Sequence, residues 1–389
     1  MTSGQKQTLP RLKAIRREGE RWVWVHAASL GEFEQGRPLI ERLKREHPEL
    51  KICLTFFSPS GYEVRADYAH ADAVAYLPFD TPGNARKFVK TLRPEWAVFV
   101  KYEFWRNYLR ELRRIGCKTY LISAVFRSDQ AFFKSWGKSY LGWLRMFERI
   151  FVQDGASMDL LKGRGIDNVE VAGDTRFDRV TDIMRGVKPI PELERFCGAK
   201  GSGGRPPMVL MAGSSWPEDE DVYAAWINSR PEVKLVIAPH EFDAGRLEKL
   251  RERFTHGAVL LSEAKERPEL LDGAQVLVID CFGLLASAYG YADVAYIGGG
   301  FGAGIHNINE AAVYGVPVMF GPNNAKFIEA RELKALGGGI EISSADSFAR
   351  HADRMLHDLV EREKRGRWAG EYIADKLGAT DRIWRSLGL

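Results

Sequence analysis

Short apolar runs alternate with amphipathic stretches along the first half of the chain. The runs predict strands at residues 22–26, 51–57, 73–77, 96–100, 119–122, 150–152 and 169–171. The stretches between them, such as residues 34–45, carry apolar positions at helical spacing. Strands separated by helices of this length indicate βαβ units and a parallel sheet. The run at 96–100 is apolar on both faces, which suits a strand covered by helices on both sides.

The alternation stops at residues 198–207, a stretch rich in Gly, Ser and Pro that predicts a linker. Further strands are then predicted at residues 208–212, 234–238, 258–261, 275–279, 294–297 and 318–320, before a charged helical stretch at about 344–376. We therefore expect an α/β protein with two Rossmann-like parallel-sheet domains. They span residues 1–195 and 205–389, and the last helices could pack back on the first domain. Ligands of open parallel sheets bind at the carboxyl ends of strands, so two facing domains would place a site in the cleft between them.

Composition and charge exclude several classes of protein. The 389 residues are 45% hydrophobic and 28% charged, which excludes disorder as the main state. A net charge of +4 is too small to indicate nucleic-acid binding, although it suits an anionic substrate or membrane face as well as an ordinary soluble enzyme. The four cysteines form no CxxC pair, so we expect neither a disulfide framework nor a zinc site, and a reducing cytoplasm.

The first candidate site is the sequence HAASLGE at residues 26–32, which directly follows the first predicted strand. Gly31 permits an unusual backbone angle or a close approach. Glu32 would then lie at the N-terminus of the next helix, where its carboxylate can accept a proton from a substrate hydroxyl. The alternative is that Glu32 only complements the helix dipole.

The second candidate is the glycine-rich sequence GGGFGAG at residues 298–304, after the predicted strand at 294–297. Glycines expose backbone N–H groups, and a helix N-terminus favours anions, so this loop is a candidate phosphate cradle. It does not match GxGxxG in register, and a dehydrogenase usually carries that fingerprint after its first strand. Glu310, a few residues later, could accept hydrogen bonds from ribose hydroxyls. The alternative is a tight glycine-rich turn.

The third candidate is the sequence GDTRFD at residues 173–178. Arg176 could grip a phosphate or carboxylate in a bidentate manner, or it could form a structural salt bridge with Asp174 or Asp178. Weaker candidate residues also follow predicted strands. Their common position at strand ends strengthens each of them as a candidate for ligand binding. They are Lys101, Glu103, Ser214, Pro239, His240, Phe282 and Gly283.

Residues 126–145 interleave aromatic and basic side chains. Phe126, Phe132, Phe133, Trp136, Tyr140 and Trp143 alternate with Arg127, Lys134, Lys138 and Arg145. This pattern suits a membrane interface or an anionic lipid, and it equally suits an aromatic helix packed on the core.

Taken together, these motifs resemble the 3-deoxy-D-manno-octulosonic acid (Kdo) transferases, lipid A biosynthesis enzymes with the two-Rossmann GT-B fold. The resemblance extends from about Trp22 to the C-terminal helices. It is carried by residues 26–32, 58–61, 77–80, 103–105, 173–178, 298–312 and 321–322.

The resemblance implies an inverting transfer of Kdo from CMP-Kdo to a hydroxyl of a tetraacyl lipid A precursor, without metal or cofactor. It implies Glu32 as general base and Arg176 as the basic residue that stabilises the transition state, with Lys101 and Glu103 also in the catalytic set. The donor would contact Ser214, Pro239, His240, Phe282, Gly283, Leu284, Gly299, Asn307, Ile308, Asn309 and Glu310. The acceptor would contact His26, Ser29, Gly31 and Ser58.

The chain departs from the family pattern at three positions. Lys101 stands where the family often has Glu, Arg106 where it has Pro, and His240 where many members have Arg. The family usually begins with an apolar anchor helix, so the polar, basic start of this chain is expected to be the segment after a removed anchor. The implied location is the cytoplasmic face of the inner membrane of a Gram-negative bacterium.

Two other functions are compatible with the predicted fold. One is another GT-B nucleotide-sugar enzyme, either a transferase or an epimerase, against which the loop at 26–32 argues. The other is a non-enzymatic, two-lobed sugar-binding protein. Such proteins are usually secreted, and no export signal is visible here.

Overall fold

The computed structural model describes residues 2–187, 189–198 and 207–388, which fall into two units. Unit 1 comprises Met1–Arg179 and Lys376–Leu389, and unit 2 comprises Val180–Asp375. The division therefore lies before residues 198–207, where the pattern predicts the linker, and the C-terminal segment belongs to unit 1. Residues 199–206 of that linker lie outside the described part of the chain.

Unit 1 contains one parallel sheet of seven strands. In chain order they are β1 (Trp22–His26), β2 (Lys51–Phe56), β3 (Ala73–Tyr76), β4 (Trp96–Val100), β5 (Lys118–Ala124), β6 (Arg149–Val152) and β7 (Val169–Val171). Their order across the sheet is β3-β2-β1-β4-β5-β6-β7, and every neighbouring pair is parallel. The strand order reverses between β1 and β4, so the loops after these two strands form the expected ligand-binding position of the sheet.

Helices cover both faces of this sheet. They are α1 (Thr2–Ile15), α2 (Leu30–Glu46), α3 (Pro59–Arg65), α4 (Pro82–Leu92), α5 (Arg106–Arg114), α6 (Lys138–Leu144), α7 (Gly155–Lys162) and α8 (Thr175–Arg185). All five residues of β1 and of β4 are buried, as expected for central strands covered on both sides. Two clusters of buried apolar side chains account for this, one on each face of the sheet.

The basic N-terminal segment is part of the fold of unit 1. Leu12 of α1 is buried in the core, and Gln5 Nε2 donates to Leu77 O at 2.9 Å. Thr8 Oγ1 donates to Tyr76 O at 2.8 Å, so α1 is bonded to the end of the edge strand β3. The helix contains Pro10 and has little amphipathic character, which is why the apolar pattern does not predict it.

Unit 2 repeats the architecture with a second parallel seven-stranded sheet. Its strands are β8 (Val209–Ser215), β9 (Lys234–Pro239), β10 (Ala258–Leu260), β11 (Val276–Val278), β12 (Val294–Ile297), β13 (Val318–Phe320) and β14 (Gly339–Glu341). The order is β10-β11-β9-β8-β12-β13-β14, so the reversal lies between β8 and β12. We therefore expect the ligand position of unit 2 in the loops after these two strands.

The helices of unit 2 follow its strands, and one last helix returns to unit 1. They are α9 (Pro191–Cys197), α10 (Pro217–Asn228), α11 (Ala244–Arg251), α12 (Leu261–Glu266), α13 (Leu285–Ala288), α14 (Asn309–Ala312), α15 (Ile328–Leu336), α16 (Ala345–His357) and α17 (Leu359–Asp375). The last helix, α18 (Ala379–Leu387), packs in the core of unit 1 through Ile383 and Trp384.

The predicted fold class is confirmed, since both units are parallel α/β sheets of the Rossmann type. Each predicted strand corresponds to an observed strand with ends displaced by no more than three residues. Strand β14 was not predicted, and the helical stretch expected at about 344–376 consists of two helices, α16 and α17, separated at Asp358. Among the described residues, no helix combines the length and apolar character needed to cross a bilayer.

Asp178 attaches the returning helix α18 to the rest of unit 1. Its two carboxylate oxygens accept the N–H groups of Gly378 at 2.7 Å and Thr380 at 2.6 Å, at the start of α18. We expect Asp178→Ala to lower the free energy of unfolding of unit 1 by about 1–2 kcal/mol, because a helix N-terminus loses its acceptor. The measurement is urea denaturation followed by circular dichroism.

The control for this variant is Asp381→Ala on the same helix. Asp381 is mostly exposed and pairs with Arg42 at the surface, so its loss should cost less than about 1 kcal/mol. Equal losses for the two variants would contradict the capping role of Asp178.

Candidate active site

The first candidate loop lies at the strand reversal of unit 1, directly after β1. Ser29 is the residue before α2, and Glu32 is the third residue of that helix. Glu32 Oε2 accepts the backbone N–H of Ser29 at 2.8 Å and also the Ser29 hydroxyl. This capping box satisfies donors that the helix start leaves unpaired.

The structural alternative for Glu32 is therefore present, but it uses only half of the carboxylate. Both hydrogen bonds end on Oε2, and Oε1 has no hydrogen-bond partner among the described residues. Glu32 is partly exposed, whereas Phe33 beside it is buried. The capping box thus fixes the position of the carboxylate and leaves one oxygen for another partner.

A chain of buried polar contacts connects the ends of β1 and β4. His26, the last residue of β1, is fully buried, and its Nε2 lies 3.1 Å from Glu103 Oε2 in the loop after β4. The same oxygen accepts the indole N–H of Trp105 at 2.5 Å, and His26 Nδ1 lies 2.9 Å from Thr55 Oγ1. His26 is thus placed to orient Glu103 rather than to contact an acceptor through its own ring.

The remaining predicted acceptor contacts, and Lys101 of the predicted catalytic set, lie at the same edge of the sheet. Ser58 N donates to Ala28 O at 2.7 Å, which connects the loops after β2 and β1. Gly31 is exposed at the start of α2. Lys101 has a left-handed backbone with φ of 68°, an unfavourable conformation for a residue with a side chain, and its Nζ lies 5.6 Å from the centre of the Tyr102 ring.

Arg176 forms the salt bridge that was the structural alternative for it. Its Nε and one terminal nitrogen donate to Asp174 Oδ2 at 2.9 and 2.7 Å. Asp174 is also contacted by Gln35 Nε2 at 3.3 Å, and Thr175 Oγ1 donates to Gln35 O at 2.5 Å. Because Gln35 lies one turn after Glu32 on α2, these bonds attach the start of α8, which contains Arg176, to the helix that carries Glu32.

In unit 2, a carboxylate that the sequence did not single out occupies the strand reversal. Asp219 is the third residue of α10, is fully buried, and accepts N–H groups from Gly299 at 2.8 Å and Trp216 at 3.0 Å. Its other oxygen accepts the Tyr296 hydroxyl at 3.0 Å. Burial raises the pKa of Asp219, and the hydrogen bond from Gly299 opposes that rise. Asp219 therefore fixes the start of α10 to the loop after β12.

In the glycine-rich loop after β12, four of the N–H groups are already bonded within unit 2. The N–H groups of Gly298, Gly302 and Gly304 donate to backbone carbonyls within unit 2, and that of Gly299 donates to Asp219. These donors are not available to a phosphate in this structure. Gly298 and Gly300 also allow close packing, since a Cβ at Gly298 would lie 2.2 Å from Ser214 O and one at Gly300 would lie 2.6 Å from Gly321.

Three rings pack together at the ends of β8, β9 and β12. Trp216 stacks on His240 with ring centres 4.4 Å apart, and His240 lies 4.7 Å from His306. The Trp216 indole donates to His306 Nε2 at a long distance of 3.4 Å, so that nitrogen is unprotonated and the imidazole is neutral. Burial and the neighbouring His240 both lower the pKa of His306, which agrees with a neutral ring. His240 itself is exposed and presents its ring to solvent.

The other residues predicted to contact the donor differ in accessibility. Ser214 has a left-handed backbone with φ of 51°, Phe282 is 86% exposed, and Gly283 forms the turn beside it with φ of 87°. Asn307 Nδ2 donates to Glu310 Oε1 at 3.0 Å. A third group is buried, and its side chains are not presented to solvent: Pro239, Ile308 and Asn309. Leu284 is half-buried.

The aromatic stretch at 126–145 is mainly a core element. Phe126, Phe132 and Phe133 are buried and pack on one another, whereas Trp136 is 67% exposed. The packed-core alternative thus describes most of this stretch, and Trp136 is the large apolar side chain that it leaves at the surface. No group of three or more His, Cys, Asp or Glu side chains suited to a metal ion lies within the described residues.

The chain is similar in sequence to proteins of a known family. The family 3-Deoxy-D-manno-octulosonic-acid transferase (kdotransferase) matches residues 5–179. The 3-deoxy-D-manno-octulosonic acid transferase of Haemophilus influenzae is 26% identical over 386 residues, 93% of this chain and 85% of that protein. The Bordetella pertussis enzyme of the same name is 27% identical over 94% of this chain and 86% of its own.

A solved structure with a similar fold is UDP-GlcNAc 2-epimerase from Neisseria meningitidis bound to UDP-GlcNAc. It superposes with a TM-score of 0.64 at 14% identity, over 94% of this chain and 99% of that chain. At this identity the similarity concerns the fold alone, which is the GT-B type expected from the sequence.

We expect Asp219→Asn to lower the free energy of unfolding of unit 2 by about 1–3 kcal/mol. The amide keeps one acceptor oxygen, so at least one buried N–H or O–H group loses its partner. The control is Asp221→Asn on the same helix, whose side chain is 65% exposed and pairs with Arg253. Thermal unfolding of both variants measures the difference, and equal stability of Asp219→Asn and the unsubstituted protein would refute this role for Asp219.

Proposed function

We propose that this chain transfers Kdo from CMP-Kdo to a tetraacyl lipid A precursor, because the Kdo transferase family model matches residues 5–179 and Kdo transferases are similar in sequence to most of the chain. The proposed reaction inverts the configuration of the sugar at the cytoplasmic face of the inner membrane. Unit 1 binds the acceptor and unit 2 binds the donor.

The position of Glu32 carries this proposal. Its carboxylate lies at the carboxyl end of β1, beside the reversal of the sheet, where ligands of such sheets bind. The capping box with Ser29 fixes Oε2 and leaves Oε1 for a substrate hydroxyl. A positioned base of this kind contributes typically ~10²–10⁴-fold to a rate.

The proposed step is a single displacement at the anomeric carbon of Kdo. The acceptor hydroxyl oxygen forms the new bond, Glu32 takes its proton, and the bond from the anomeric carbon to the CMP phosphate oxygen breaks. The electron pair leaves with CMP, so the reaction develops negative charge on a phosphate. Arg176 is proposed to stabilise that charge, and its salt bridge with Asp174 orients the guanidinium.

The donor is proposed to bind at the strand reversal of unit 2. His240 and the Ser214 hydroxyl are the proposed phosphate contacts, because the N–H groups of Gly298, Gly299, Gly302 and Gly304 are bonded within the unit. Glu310, oriented by Asn307, is proposed to accept the ribose hydroxyls. The exposed ring of Phe282 offers a face for the base.

The acceptor is proposed to lie along the loops after β1, β2 and β4. Ser29 and Gly31 lie next to Glu32 in the loop after β1, and Ser58 bonds Ala28 of that loop. Lys101 supplies a positive charge for an anionic acceptor. His26 and Glu103 are proposed to act as a buried positioning pair behind these loops. The exposed Trp136 suits contact with the membrane that carries a lipid acceptor.

The Glu32→Gln variant tests the proposed base. Gln at the third helical position can keep the capping box, so stability should change little while proton transfer is lost. We expect transfer to fall by about 10²–10⁴-fold. The assay generates CMP-Kdo in situ, supplies the tetraacyl lipid A precursor and measures both CMP release and lipid modification.

The matched control for that variant is Glu34→Gln on the same helix, where the carboxylate pairs with Arg65 at the surface. Undiminished transfer by Glu32→Gln would refute the mechanism. Failure of the unsubstituted protein to modify the lipid would refute the proposed acceptor. A parallel assay with UDP-GlcNAc distinguishes a Kdo transferase from an epimerase with the same GT-B fold, because an epimerase would convert that sugar without an acceptor.

The His240→Ala variant tests the proposed donor site. We expect the Kd of CMP, measured by calorimetry, to rise about tenfold, since a polar contact to a charged phosphate is worth roughly 1.5 kcal/mol. The control is His256→Ala, an exposed histidine of the same unit whose Nε2 contacts Asn228 O. An unchanged Kd for His240→Ala would remove His240 from the site.

A further inference from the structure

Unit 1 contains a cavity of about 560 Å³ that neither the acceptor nor the donor residues line. It lies between the C-terminal ends of α4 and α5 and is bordered by Arg86, Lys90, Arg93, Pro94, Arg114 and Ile115. These helix ends lead into the first residues of β4 and β5. The cavity is therefore at the amino edge of the sheet, opposite the edge that carries Glu32.

The cations around this cavity exceed the nearby negative charges. Arg86, Lys90 and Arg93 are exposed and have no ion pair within the described ranges of the chain. Arg114 pairs with Glu111 at 2.9 Å, which is the one carboxylate bonded to a lining residue in the described structure.

The next acidic residue does not compensate this excess. Glu95 is occupied by Arg21, which donates to both of its oxygens at 2.7 and 2.8 Å. The C-termini of α4 and α5 each add only about half a negative charge. The cavity therefore keeps a net positive charge.

Two features of the lining are unfavourable for the free protein. Arg86 and Lys90 are four residues apart on α4, so their like charges face each other and oppose the helix. Arg93 ends α4 in the left-handed conformation, with φ of 46° and ψ of 60°, where Gly is the usual residue. An anion in the cavity would offset the repulsion between Arg86 and Lys90 and would pair with the Arg93 guanidinium.

We propose that this cavity is a binding site for phosphate groups. Its volume is that of a site for a small organic ligand, and guanidinium groups grip phosphate oxygens in a bidentate manner. The phosphate could belong to a free phosphorylated metabolite or to the headgroup of an anionic lipid. The proposal is independent of the function proposed above, since no residue of the cavity belongs to either substrate site.

The experiment measures two ligands on the full chain. Calorimetry measures inorganic pyrophosphate, and co-sedimentation measures phosphatidylcholine vesicles with or without phosphatidic acid. Binding of pyrophosphate assigns the site to free phosphates, and binding of phosphatidic acid vesicles alone assigns it to a lipid headgroup. In either case we expect Lys90→Glu to weaken binding at least tenfold and added salt to weaken it further.

The control is Lys87→Glu, which makes the same charge change on the same helix at an exposed position that does not line the cavity. We expect it to retain most of the binding. If Lys87→Glu weakens binding as much as Lys90→Glu, the effect is one of net charge and the site is refuted. Absence of binding of both ligands to the unsubstituted protein also refutes it.

The Arg93→Gly variant is a second test, in which thermal stability and affinity for phosphate are expected to change in opposite directions. Gly relieves the left-handed strain, so we expect the Tm of unit 1 to rise by about 2–4 °C while the affinity for the phosphate ligand falls. A destabilised variant could lose binding through misfolding, but this variant is expected to be more stable. Unchanged affinity in Arg93→Gly and in Lys90→Glu would overturn the proposal.

Discussion

Both units depend on how the first strand of a parallel sheet turns into a helix. The helix start leaves N–H groups without partners, and here an acidic residue at the third helical position accepts one of them. In unit 1 this residue is Glu32, and in unit 2 it is Asp219. The two carboxylates occupy equivalent positions after β1 and β8. Their surroundings differ, and that difference separates a carboxylate with a free oxygen from one with only a structural role.

The degree of burial distinguishes Asp219 from Glu32. Asp219 is surrounded by unit 2 and uses both oxygens for Gly299, Trp216 and Tyr296, so it has no capacity left for a ligand. Two of these partners, Tyr296 and Gly299, lie on β12 and in the loop that follows, so Asp219 attaches the glycine-rich loop to the start of α10. Glu32 remains at the surface with one oxygen unbonded to the described residues. The same local motif, an acidic residue at the third helical position, therefore gives a buried structural carboxylate in Asp219 and an accessible one in Glu32.

Periodicity alone predicted most of the sheet because the central strands are apolar on both faces, as β1 and β4 are. It did not predict β14, whose three residues at Gly339–Glu341 contain a single large apolar side chain. Nor could it assign the glycine loop, because the partner of Gly299 is Asp219, 80 residues earlier in the chain. The spacing of Asp219 from the end of β8 was the available signal. The choice between a base and a cap for such a residue depends on burial, which is a tertiary property.

The distribution of ion pairs separates the surface of unit 1 into two kinds of region. Along α2, Arg37 bonds Glu41 and Arg42 bonds Glu46, four residues apart, so the charges compensate one another locally. On α4 the residues at the same spacing are Arg86 and Lys90, which both carry a positive charge. Pairs of opposite charge, as on α2, are sufficient for a helix whose exposed face only has to be soluble. The second arrangement, next to a residue in a strained conformation and around a cavity, is better explained by an anion that binds there than by the requirements of folding.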